Sequence, residues 1–209
     1  MIILPQVVQQ TESHCGPAVL ELLLAFFGRT VTQDQIVAAA GIQERIMEHG
    51  ARPNQLATAA ERLAPDLQFW FKENTTINDL IVLVQGYHWP VAVDWQGLFY
   101  DSIEEEEVAE TQGDYGHYSV IVSIDVLSDQ IVLADPYQEY AQAPRVFSLR
   151  WFEQRWWDIA KDTDPVTGED DSIATHRLSF LLAPKGIDFP RELGMMLPDQ
   201  LRMLKIGEV

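Results

Sequence analysis

The chain has 209 residues, of which 47% are hydrophobic and 10% aromatic, with a formal net charge of −18 and an isoelectric point near 4.4. This composition excludes a disordered polymer and suits one packed core, read as a domain over residues 1–185 with a C-terminal extension over 186–209. An acidic surface with no Lys/Arg cluster repels phosphate backbones, which argues against a nucleic-acid partner and permits a basic substrate without demanding one.

At the N-terminus, Met1 to Gln6 lack a basic stretch followed by a long apolar one, so no secretory signal is read. Ala18 to Phe27 is too short to span a bilayer and carries Glu21. A soluble, cytoplasmic protein is the expectation. The single cysteine, Cys15, excludes an internal disulfide and a cysteine-based metal cluster, and no metal or cofactor is expected.

Gly16 to Phe27 is apolar nearly all round, which predicts a buried helix stopped by Gly28, with Pro17 in the first turn and Cys15 at or beside the N-cap. Thr32 and Gln35 have capping-box spacing, so a second helix is expected over Thr32 to Ala40, closed by Gly41. Ile42 to Pro53 reads as a loop, Asn54 to Leu63 as an amphipathic helix, and Thr76 as the cap of a helix reaching about Gln85. The first half is thus expected to be mostly helical.

The pattern then changes to β-branched and aromatic residues. Trp89 to Trp95 reads as a strand, and Tyr118 to Ile124 with Gln130 to Ala134 as a hairpin turning near Leu127-Ser128-Asp129. Arg145 to Leu149 is a short strand, Arg150 to Asp158 a tryptophan-rich helical turn and Arg177 to Ala183 a final strand. Helices first and an antiparallel sheet second define an α+β fold. Asp101 to Asp114, with seven acids and no base, and Asp158 to Asp171 read as solvated insertions. Trp89, Trp95 and Tyr118 are expected in the core, and the tail as a short amphipathic helix docked on it.

Chemistry centres on Cys15. A thiol at a helix N-terminus meets the partial positive charge of the backbone N–H groups, which favours a nucleophilic sulfur, although a lone cysteine is as often a small buried hydrophobe. A nucleophile needs a base, a group that orients the base, and donors for the oxyanion. Among the five histidines, His14 leaves the helix start in a different direction from the thiol. His117 opens one strand of the hairpin while Asp135 closes the other, so the two lie opposite or within about two positions, and the carboxylate orients the imidazole. Gln9, or Gln10 one residue on, is the side-chain oxyanion donor beside the Cys15 backbone N–H.

Gln9, five residues, Cys15-Gly16-Pro17-Ala18, then Gly116-His117-Tyr118-Ser119-Val120-Ile121-Val122, then Ala134-Asp135-Pro136 resembles the bacteriocin-processing, double-glycine peptidase family of the papain-like superfamily. The resemblance covers about Pro5 to Asp158. It implies a papain-like fold with Cys15 as nucleophile, His117 as general base, Asp135 as orienter and Gln9 as oxyanion donor.

It further implies a cysteine peptidase or amidase acting on a peptide or amide substrate. The alternatives are an acyltransferase using the same thioester and a non-catalytic peptide-binding module of the same fold. Exporter-linked members carry membrane spans and a phosphate-binding glycine loop, which these residues lack, so a stand-alone member is the expectation. His14 replaces the acid that often precedes the cysteine, and as an imidazolium it would also favour the thiolate. The acidic segment 101–114 leads directly into His117 and is expected to cover the site or to select basic substrates.

Overall fold

The computed structural model describes residues 1–97, 115–163 and 170–198. Four helices come first: α1 (Cys15–Phe26), α2 (Gln33–Ala40), α3 (Ile46–His49) and α4 (Pro53–Leu63). The capping box of Thr32 and Gln35 is formed at α2, and Gly41 closes that helix in the left-handed conformation at φ 75°. α1 has no side-chain cap and ends at Phe26, with Phe27 and Gly28 turning their N–H groups back onto Leu24 and Ala25.

The first half is less helical than its sequence reads. Strand β1 (Leu67–Lys72) follows α4, and the segment 42–53, expected as loop, contains α3. The helix capped by Thr76 is α5 (Ile77–Ile81), which widens into a π-turn over Val82–Gly86. β1 is legible only through its partners: it is buried at Leu67, Phe69, Trp70 and Phe71, so it lacks the alternation of a half-exposed strand.

The remaining strands are β2 (Val91–Gln96), β3 (Gly116–Asp125), β4 (Gln130–Ala134), β5 (Arg145–Ser148), β6 (Trp157–Thr163), β7 (Asp170–His176) and β8 (Ser179–Pro184). Six form one antiparallel sheet in the order β1-β8-β2-β3-β4-β5. The final strand therefore inserts between β1 and β2. A helix over Leu149–Arg155 replaces the expected helical turn to Asp158. Trp157 already starts β6, which pairs with β7 as a separate hairpin where the sequence reads as a solvated insertion.

Both faces of the sheet are covered. Val120, Val122, Phe180 and Leu182 pack with α1 and α4 on one side. Ile121, Ile131, Leu181 and Trp95 pack with Phe152 and Trp156 on the other. Trp95 is 1% exposed, as a core residue should be, whereas Tyr118 also borders a cleft. Residues past 185 dock on the same core, where Met196 exchanges two backbone hydrogen bonds with Phe71, at 3.0 and 2.8 Å. The segment 101–114 and the tail from 199 lie outside the described residues.

Phe180 is fully buried at the centre of the sheet, stacked on Phe69 at 5.0 Å and edge-on to Tyr118 at 5.7 Å between ring centroids. Phe180→Ala removes both contacts and leaves a void. The expected loss is about 3–5 kcal/mol, read as a lower denaturant midpoint at unchanged slope.

Candidate active site

Cys15 is the first residue of α1 and 9% exposed. Gly16 allows the loop to approach, because a Cβ there would press on Ala51 at 3.1 Å. The preceding turn is held from several sides. His14 Nδ1 pairs with Thr11 Oγ1 at 2.6 Å, Gln33 on α2 accepts from the Gln10 N–H at 2.9 Å, and Gln33 Nε2 donates to the Val8 carbonyl at 2.9 Å. Burial lowers the His14 imidazole below its ordinary value against the opposing charge of Asp34. His14 therefore favours the neutral form and faces Thr11, so the expectation of a second imidazolium at the thiol is corrected.

His117 and Asp135 meet because of one irregularity in the hairpin. Near the turn, Ile124 pairs with Ile131 and Ser123 with Val132, whereas beyond Val122 the partners become Ile121 with Leu133 and Val120 with Ala134. This one-residue shift is a β-bulge. It sets Asp135 against Ser119, two positions from His117 and on the same side of the sheet. Had the register near the turn continued, Asp135 would face Val120, three positions from His117 and on the other side. The Val122 carbonyl at the bulge accepts from the Ile2 N–H at 2.8 Å.

His117 Nε2 lies 2.8 Å from Asp135 Oδ1, with the two side chains 3% and 0% exposed. Cys15 also acts on the imidazole, and with Nε2 on Asp135 the nitrogen left to face the sulfur is Nδ1. Asp135 is held in turn: Oδ1 accepts from the Tyr137 N–H at 3.0 Å, and Arg145 donates to Oδ2 at 2.8 Å. Arg145 is itself stacked over Tyr140, 3.6 Å from the ring centroid. Sequence reasoning missed Arg145. Its signal lay in β5, where Arg145 pairs across the ladder with Leu133, two residues before Asp135.

Gln9 is 2% exposed, whereas Gln10 is exposed, so of the two glutamines only Gln9 is buried beneath the turn. Its backbone N–H donates to the Pro136 carbonyl at 2.8 Å, tying it to the Asp135 turn. Its Nε2 donates to the Thr11 carbonyl at 2.9 Å and to that of Glu12 at 3.3 Å, while Oε1 has no partner among the described residues.

A cleft of about 460 Å³ opens at Cys15, bordered by residues 48–52, Asp94, Tyr118 and Asp158. Asp158, expected within a solvated insertion, is 9% exposed and its carboxylate covers Gly116, where any Cβ would overlap it. Sequence reasoning gave neither Asp94, Asp158 nor Arg52 a place at the site. Among the described residues no group of three His, Cys, Asp or Glu side chains could hold a metal, and no helix is long and apolar enough to cross a membrane.

A helix-borne cysteine facing a strand-borne histidine and aspartate, on an α+β frame, is the arrangement of papain-like cysteine peptidases. Two solved structures share the fold. One is the peptidase domain of Streptococcus ComA, a bi-functional ABC transporter involved in a quorum-sensing pathway, at TM-score 0.54 and 17% identity, covering 88% of this chain and 100% of that one. The other is a double-glycine-motif protease from an AMS/PCAT transporter in complex with its leader peptide, at TM-score 0.52 and 13% identity, covering 88% and 93%. The profile of the Peptidase_C39 like family matches residues 2–163, and the chain belongs to that family. No curated protein matches it.

Burial alone would lower His117. The Asp135 charge and hydrogen bond, with Cys15, outweigh it and raise the imidazole from 6.5 to about 10. Burial likewise opposes the Asp135 carboxylate, but His117 and Arg145 bring it from 3.8 to about 2. The His117 contribution to stability is thus complete below pH 6.5 and lost as pH rises toward 10; that of Asp135 is complete above pH 3.8 and lost as pH falls toward 2. Asp135→Asn should cost about 3–5 kcal/mol between these limits. Denaturant melts against pH should show the gap to wild type narrowing on both sides of the window between 3.8 and 6.5.

Proposed function

We propose that the protein is a cysteine hydrolase that cleaves a peptide or amide bond through a thioester on Cys15. The observation that carries this reading is the buried His117 side chain, placed between Cys15 and Asp135. The proton of the Cys15 thiol rests on His117, whose imidazolium Asp135 stabilises, and the sulfur attacks the carbonyl carbon as the thiolate. The Cys15 backbone N–H faces the developing oxyanion. Gln9 Nε2 supplies the second donor by giving up its weaker bond to the Glu12 carbonyl. His117 then protonates the leaving amine, and water releases the acyl group with His117 again as base.

A peptide substrate is supported by the second of the similar structures, which is described with a leader peptide bound. Water as the final acceptor distinguishes this reading from acyl transfer. A diverse peptide library incubated with the protein and read by mass spectrometry should give cleaved products that vanish in Cys15→Ala. Acyl conjugates with an added amine, in place of free acids, would replace hydrolysis by transfer.

A thiol-alkylating reagent should label Cys15 faster than a free model thiol at neutral pH, and His117→Ala should slow that labelling. Labelling at the model rate in both proteins overturns the nucleophile. For turnover, Gln9→Ala is expected to lower kcat by roughly 10²–10³, with labelling by a small alkylating reagent little changed, because alkylation forms no oxyanion.

A further inference from the structure

Hydrolysis sets His117 two tasks that call for opposite charge states. The free site gains from an imidazolium, which keeps Cys15 as the thiolate, whereas the thioester needs a neutral imidazole to take a proton from water. Asp135 and Cys15 both favour the imidazolium in the free site. Once the sulfur carries an acyl group its charge is gone, but the Asp135 carboxylate remains, 2.8 Å from Nε2. So close and so buried a carboxylate, left to itself, keeps the imidazole protonated through the step in which it must act as base.

Arg145 is placed to limit that effect. It donates to Asp135 Oδ2 at 2.8 Å while His117 occupies Oδ1, so one carboxylate is shared between two basic side chains. The guanidinium is 11% exposed and lies 3.6 and 4.8 Å from the ring centroids of Tyr140 and Phe147. Arginine keeps its charge in proteins. With Arg145 present, the cluster of His117, Asp135 and Arg145 is net positive when the imidazole is protonated and neutral when it is not. Without Arg145 the same two states are neutral and net negative. Burial favours the state with least uncompensated charge, so Arg145 favours the neutral imidazole and its loss favours the imidazolium.

Other groups approach the imidazole from neighbouring elements. On β2 the residue opposite is the uncharged Trp95, with Asp94 opposite Tyr118; on β6 Asp158 covers Gly116. From the helix over Leu149–Arg155, Arg155 donates to the Gln96 carbonyl at 3.2 Å, and Tyr137 turns its ring edge-on at 6.4 Å. Of these groups and Arg145, only Arg145 is a cation bonded to the carboxylate that orients His117.

We infer that Arg145 is a positioning residue for the hydrolytic step: by sharing Asp135 it lets His117 be protonated beside the thiolate and neutral beside the thioester. In that step water adds to the thioester carbon and gives a proton to His117 Nδ1. The carbon–sulfur bond breaks, the acid leaves, and the sulfur departs as the thiolate beside the new imidazolium. The inference rests on the reading of Cys15 as the nucleophile.

The test uses para-nitrophenyl acetate, which releases nitrophenolate in a burst as Cys15 is acylated and then at the rate of thioester hydrolysis. The wild type should show a burst that Cys15→Ala lacks. Arg145→Gln and Arg145→Met remove the charge. Each should keep the burst and move the pH midpoint of the steady rate up by about one unit or more, a roughly tenfold loss of hydrolysis below the midpoint. Arg145→Lys keeps the charge and should reverse most of that shift. If one variant fails to fold the other decides. A midpoint unchanged or lowered in a folded, charge-free variant overturns the inference, since a merely structural role lowers the rate without raising the midpoint.

A wild type without a burst overturns the nucleophile instead. The effect of Arg145 on the proton is then decided by NMR titration of the His117 ring on the Cys15→Ala background, where no thiolate contributes, as in the thioester. Adding Arg145→Gln should raise the midpoint by about one unit or more; an equal or lower midpoint overturns the assignment of Arg145.

Discussion

The contact on which the site depends is the 2.8 Å pair between His117 and Asp135, closed off from solvent on both sides. A charged imidazole at 3% exposure is costly to keep unless its partner is held as firmly. Asp135 meets that condition through the Tyr137 N–H and the Arg145 guanidinium, and Arg145 is in turn clamped between Tyr140 and Phe147. The result is a chain of contacts from Cys15 through His117 and Asp135 to Arg145, in which each member is oriented by the next. Such a chain fixes the ring nitrogen that faces the sulfur. Without the carboxylate the imidazole could turn or change tautomer.

That pair is itself a consequence of sheet geometry. The shift at Val122 determines whether His117 and Asp135 share a face, so one extra residue in β3 is as necessary to the site as either side chain. The bulge removes a carbonyl from the regular ladder, and the N-terminal segment satisfies it through Ile2. The same segment then runs to Gln9, whose backbone bonds to Pro136, and on to the turn that launches α1. The first fifteen residues thus connect the bulge, the aspartate turn and the cysteine in one path, with Gln33 bracing it from α2.

Legibility followed the range of each interaction. Cys15 at a helix start and the hairpin carrying His117 and Asp135 were readable because caps, turns and strand alternation are local signals. Even so, sequence placed the pair only to within two positions, since a bulge leaves no local mark in Ser119-Val120-Ile121-Val122. Gln9 and Gln10 could not be separated by spacing, and burial separates them. Arg145, Asp94 and Asp158 were invisible as site residues because strand pairing and packing bring β5 to β4, and β2 and β6 to β3, regardless of chain distance, and Arg52 because it reaches the cleft from the start of α4. The β6–β7 hairpin was hidden by its acids, which resemble a solvated loop until a strand partner is known.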